Sequence, residues 1–149
     1  MRFEINYIGH LQAQQRPRGT VRYHKDGKPF VMMRDDNHCR DFKSTLHLLA
    51  QVELLAEGKR VIQGPLEMNV DFIFPIPQRM SKKARSAALA GETYPTKKPD
   101  IDNLLKAIMD AFNGVLYNDD KQVVMVTMRK IYGEREGAVI TLESKGAEE

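Results

Sequence analysis

Between Gly64-Pro65 and Pro75-Ile76-Pro77, the chain sets Leu66, Met68, Val70, Phe72 and Phe74 in alternation with Glu67, Asn69 and Asp71. A period of two between proline-bearing turns reads as a strand with one face on a core and the other toward water. A single strand cannot satisfy its own backbone, so this run requires a sheet, and its apolar face requires a covering layer.

The flanking chain supplies both. Phe3, Ile5 and Tyr7 alternate with Arg2, Glu4 and Asn6 as a second strand over residues 2–8. The polar stretch Gln12–Gly19 reads as a loop. Thr20–His24 and Pro29–Met33 flank Asp26-Gly27, a hairpin signal, and the nearby Arg16, Arg18 and Lys25 either reach a phosphate or solubilise the loop. Over Asp36–Ala56 the period becomes helical. Phe42, Leu46, Leu49, Val52 and Leu55 are expected on one side, with Asp36 and Asn37 as N-caps and Gly58 as the stop. His38, Cys39 and His47 share no metal-ligand spacing and read as helix residues.

Further on, Ser81 caps a short helix that runs to Leu89 and Ala90, and Gly91 ends it. Leu116–Lys121 reads as a turn into a strand over Gln122–Tyr132. Gly133–Gly137 reads as a hairpin loop into a last strand carrying Ala138, Ile140 and Leu142, and the tail from Ser144 to Glu149 is expected to fray. The order predicts a single α+β domain over residues 1–149, a mixed β-sheet with helices packed on one side. At 149 residues a core of this kind needs no staples.

The only cysteine, Cys39, cannot form an internal disulfide, and no apolar run approaches the roughly 18 residues a membrane span needs. The N-terminus alternates instead of forming an apolar signal region. A cytoplasmic protein is expected. The formal net charge of +3 is modest, but its distribution is uneven: from residue 79 to 98, Arg79, Lys82, Lys83, Arg85, Lys97 and Lys98 are opposed only by Glu92. With Pro95 and Pro99 keeping its end extended, this segment forms a basic arm.

The arm leads into Lys97-Lys98-Pro-Asp100-Ile-Asp102-Asn103-Leu-Leu-Lys106, answered downstream by Asn118-Asp119-Asp120-Lys121. On a wheel of 100° per residue with Asp102 at zero, Lys106 falls near 40°, Asp110 near 80° and Asn113 near 20°, while Ile101, Leu104, Leu105, Ile108, Met109 and Phe112 occupy about 200° to 340°. Asp100 would sit about 160° from Asp102 if both were helical. An extended Asp100 after Pro99, with the helix starting at about Asp102, turns the two carboxylates the same way.

Magnesium takes oxygen ligands and keeps several waters, so two or three carboxylates from different elements make a site. Asp100, Asp102 and Asp119 or Asp120 meet that description. Lys106, one turn from Asp102, suits neutralising charge on a scissile phosphate. Alternatively Asp102 is an N-cap and Lys106 its i,i+4 salt-bridge partner. No GxSxG, GxxxxGK[ST] or GxGxxG motif is present. The DxDN run departs from an EF-hand loop, with Leu105 at its sixth position and Ala111 at its twelfth.

The run Lys98-Pro-Asp-Ile-Asp-Asn-Leu-Leu-Lys106, then Asp110-Ala111, then Asp119-Asp120-Lys-Gln-Val-Val124 resembles the signature of the RusA family of Holliday junction resolvases of bacteria and prophages. Ser81-Lys-Lys-Ala-Arg85 and Thr96-Lys-Lys98 add to the likeness. The resemblance implies a homodimeric, cytoplasmic endodeoxyribonuclease, dependent on Mg2+ with Mn2+ as a substitute and needing no organic cofactor. It would cut two strands of four-way junction DNA in recombination and repair. Asp100, Asp102 and Asp120 would be catalytic, metal-binding acids, Lys106 the essential lysine and Asp119 a supporting acid. Arg79, Lys82, Lys83, Arg85, Lys97 and Lys98 would grip the DNA backbone. The alternative is a non-catalytic, branched-DNA-binding architectural protein whose acids are structural caps.

Overall fold

The computed structural model describes residues 1–13, 18–34, 37–56 and 58–146. Ten elements follow in order: β1 (Arg2–Ile8), β2 (Arg18–Tyr23), β3 (Pro29–Arg34), α1 (Asn37–Ala56), β4 (Leu66–Pro75), α2 (Lys82–Leu89), α3 (Ile101–Phe112), a short 3-10 turn (Asp120–Gln122), β5 (Val123–Gly133) and β6 (Gly137–Ser144). Four strands form one mixed sheet in the order β1-β6-β4-β5, and β2 and β3 form a separate ribbon. The expected α+β domain, with helices over one face of a mixed sheet, is what the chain builds.

Register follows the alternation. Ile5 pairs with Ile140, Ile140 with Val70, and Val70 with Met128, so one apolar row crosses all four strands. Phe42, Leu46 and Ala50 of α1 and Leu104, Ala107, Ile108, Ala111 and Phe112 of α3 close over that face in one core cluster. Fully burying a side chain such as Phe112 or Leu46 stabilises the fold by about 1.5–3 kcal/mol. Parallel pairing of β4 with β5 demands a long crossover, and residues 76–122 supply it. The helix with the acidic motif is therefore part of the connection that closes the sheet.

Several expectations need correction. Val52 and Leu55 are 56% and 79% exposed, and Ala50 takes the buried place. Steps of three residues slip about 60° per step around a helix, so the run Phe42, Leu46, Leu49, Val52, Leu55 drifts off the face that Phe42, Leu46 and Ala50 hold. β5 and β6 are not a hairpin: both flank β4, and residues 134–136 pass over its end. Gly137 is required there because an added Cβ would run into the Tyr7 carbonyl.

The strand expected from Gln122 starts at Val123, after the 3-10 turn. Arg18 and Gly19, expected in the loop, belong to β2, and residues 14–17 and Asp36 lie outside the described residues. The tail is tied beyond its expected start, since the Ser144 amide donates to Met1 O and the Lys145 amide to Pro65 O. Among the described residues no helix is long and apolar enough to cross a membrane.

Candidate active site

Asp100 is the N-cap residue of α3, with φ −71° and ψ 146°, the extended backbone that an N-cap position takes. Its side chain makes no capping bond. Asp102 lies in the first turn, not at the cap, and Asp100, Asp102 and Lys106 are all exposed. Among the described residues none of the three has a side-chain hydrogen bond or ion pair, so the Asp102–Lys106 salt bridge is not formed. Leu104, Ile108 and Phe112 on the opposite stripe are buried, which fixes the rotation of α3 and turns the acids outward.

The far end of α3 is built differently. Gly114, at φ +75°, ends the helix in a left-handed conformation that an L side chain resists. The chain then doubles back so that Tyr117 is buried beneath the turn. The Tyr117 hydroxyl stands 2.9 Å from Asp120 Oδ1 and 3.1 Å from the Met109 carbonyl. Burial first, and then the hydrogen bond with Asp120, push that hydroxyl far above its ordinary pKa, with Asp110 and Asp119 adding to the shift. Asp120 is thus held beside the third turn of α3, about 10 Å along the axis from the first turn that carries Asp102.

Asp119 has another task. Its Oδ1 accepts from the Lys121 amide at 2.9 Å, and Gln122 Oε1 accepts from the Asp119 amide at 3.0 Å, a reciprocal capping box. Gln122 Nε2 donates to the carbonyls of Ile62 and Gly64, tying the turn to the chain that enters β4. The sequence alone assigns neither Tyr117 nor Gln122 a role in the site. The Asp119-x-x-Gln122 spacing was a readable signal for the second, whereas nothing local signals the first.

The sequence therefore yields two acidic groupings: Asp100 and Asp102 at the start of α3, and Asp110, Asp119 and Asp120 around Tyr117 at its end. Lys106 lies between them on the polar face. Among the described residues no three His, Cys, Asp or Glu side chains stand close enough to hold a metal ion by themselves. Bracing comes from α1, where His47 Nδ1 lies 3.1 Å from the Ala111 carbonyl and Lys43 Nζ 3.9 Å from Asp110. His47 thus has a packing partner; the side chains of His38 and Cys39 lie outside the description.

The basic arm lies at the Asp100 end. Arg79, Lys82, Lys83, Arg85, Lys97 and Lys98 are all exposed. Ser81 Oγ accepts from the Ala84 amide and starts α2, which carries three of these charges. Lys130 Nζ, on β5, donates to the Lys97 carbonyl at 2.6 Å and rests 4.8 Å from the centre of the Phe74 ring. That contact anchors the end of the arm on the sheet just before Asp100.

Residues 9–143 match the family described as Endodeoxyribonuclease RusA. A Bacillus subtilis (strain 168) relative, named as the uncharacterized protein YqaN, is 38% identical over 133 residues, which span 88% of this chain and 88% of the relative. With the family match covering both acidic groupings, the arm and the sheet strands that follow β1, the chain belongs to the RusA family of endodeoxyribonucleases.

Proposed function

We propose that the protein is a Mg2+-dependent, structure-selective endodeoxyribonuclease that resolves four-way DNA junctions during recombination and repair in a bacterial cytoplasm. The observation that carries this reading is the exposed, unpartnered trio Asp100, Asp102 and Lys106 at the end of the basic arm, in a chain of the RusA family.

The donor set fits a hard dication. Mg2+ is commonly held by one or two carboxylates together with substrate phosphates and water, so Asp100 and Asp102 suffice without a closed protein cage. When bound, the ion supplies a polarised water and charge stabilisation at the phosphate. Lys106 neutralises charge growing on the phosphate, and its compact ammonium reaches from the same face as Asp102. Asp120, oriented by Tyr117, serves as the acid at the far end of the strip. The arm residues Arg79, Lys82, Lys83, Arg85, Lys97 and Lys98 hold backbone phosphates without reading sequence.

Paired cuts call for a two-fold homodimer, and the open edge of β5 supports one. No charge guards that edge from Val123 to Met128, and Val124 and Met125 are exposed. Antiparallel self-pairing centred on Val126 would set Arg129 opposite Val123 and keep like charges apart.

The test is incubation of end-labelled four-way junction and linear duplex with protein and Mg2+, beside a chelated control. Symmetric cuts in the junction alone are expected. Binding without nicking in Mg2+ or Mn2+ would overturn the nuclease reading in favour of an architectural role.

A further inference from the structure

The ribbon of β2 and β3 has no place in the site described above, yet it is the part of the chain least explained by folding. Its register is regular, with Val21 paired to Val31 and Tyr23 to Pro29. Its turn is closed by two backbone bonds between His24 and the Gly27–Lys28 segment, and Asp26 Oδ1 accepts from the Lys28 amide. Successive residues of a strand point to opposite faces, so a ribbon packed on the domain would bury one face. Among the described side chains this one buries neither: from Val21 to Val31 each is exposed except Phe30, which is half-buried.

An uncovered two-stranded hairpin is marginal in water, and this one displays Val21, Tyr23 and Val31, with Tyr23 70% exposed. Its charge indicates what covers it. Across residues 18–34, Arg18, Arg22, Lys25, Lys28 and Arg34 are opposed by Asp26 alone. At the tip the rings of His24 and Phe30 lie 4.4 Å apart, tilted by 30°, next to Tyr23 in sequence. Basic residues interleaved with flat rings fit a polyanion with stackable bases, whereas a second copy of this basic ribbon would meet like charge.

We infer that the β2–β3 ribbon is a second nucleic-acid contact, an arm that engages the branch point of junction DNA: Arg22, Lys25 and Lys28 hold phosphates, and Tyr23 stacks on a base unstacked at the crossover. This rests on the proposal that DNA is the substrate. The dimensions agree: six residues per strand reach about 20 Å, and a two-stranded ribbon fits the roughly 12 Å width of a major groove. The arm of residues 79–98 would then grip the duplex limbs while the ribbon senses the branch.

The test is anisotropy binding of the full chain, in EDTA and over a range of salt, to a labelled immobile four-way junction and to a linear duplex of the same length. Arg22→Gln, Lys25→Gln and Lys28→Gln together are expected to lower junction affinity at least tenfold and the log–log salt slope by about 2–3, since each phosphate contact contributes about 0.9. Tyr23→Ala is expected to weaken junction binding about tenfold and duplex binding less. Thermal melting should not move, because these side chains cover none of the core.

Junction binding within twofold of the parent in both variants would overturn the inference. So would loss of a dimer in sedimentation, which would make the ribbon an assembly arm. Because binding is read without cleavage, a parent that grips junctions through the ribbon but never cuts them would sink only the nuclease reading.

Discussion

Tyr117 and Asp120 are joined by a 2.9 Å hydrogen bond, and the same hydroxyl stands 3.1 Å from the Met109 carbonyl of α3. Replacing Tyr117 with Phe keeps the buried ring and removes the donor. A stability loss of about 1 kcal/mol is expected, with junction cutting down roughly tenfold and junction binding unchanged. Urea denaturation and single-turnover cleavage measure the two separately; unchanged cutting would show that Asp120 needs no such positioning.

The two neighbouring acids should behave differently. Asp120→Asn and Asp102→Asn are expected to lower cutting on the order of a hundredfold or more while leaving junction binding intact or tighter, because repulsion with phosphate is lost. Asp119→Asn should keep most activity, since the amide oxygen still caps Lys121 N–H, whereas Asp119→Ala should loosen the turn. Full cutting by Asp120→Asn, or complete loss in Asp119→Asn, would reverse the assignment of these two residues.

On α1 the two leucines make a contrast. Leu46 is fully buried against the α3 core, so Leu46→Ala should cost about 2–5 kcal/mol. Leu55 is exposed, and Leu55→Ala should stay within about 0.5 kcal/mol of the parent. Chemical denaturation of both variants checks the rotation of the helix.

Alkaline pH should destabilise the fold. Burial raises the pKa of both Tyr7 and Tyr117, helped by Glu136 at the first and Asp120 at the second. In the unfolded chain each ionises at its ordinary value of 10.0, while the folded chain still holds the proton. Their contribution is therefore complete below pH 10 and is lost as pH rises above it, at up to about 1.4 kcal/mol per pH unit for each group. Urea midpoints from pH 8 to 11 should fall along that limb, and less steeply in Tyr117→Phe.

The exposed arm should act through charge. Lys82→Gln, Lys83→Gln and Arg85→Gln together should weaken junction and duplex binding alike and reduce the salt slope by about 2–3, without altering where the DNA is cut. An unchanged slope would mean that α2 faces away from the substrate.

Local pattern determined much of this protein. Alternation placed β1 and β4, the Asp26-Gly27 turn placed the ribbon, and the wheel of Ile101–Phe112 told which side of α3 holds Asp102 and Lys106, because burial periodicity is written directly in residue order. The extended backbone at Asp100 was equally readable, because Asp after Pro99 and just before a helical run is a favoured N-cap. Tertiary structure decided what depends on contacts between distant segments. It put β5 and β6 on opposite sides of β4, turned α1 so that Ala50 instead of Val52 faces the core, and used buried Tyr117 to hold Asp120 beside Met109, one end of a helix away from Asp102. Those outcomes turn on which elements pack together, and packing partners carry no period along the chain.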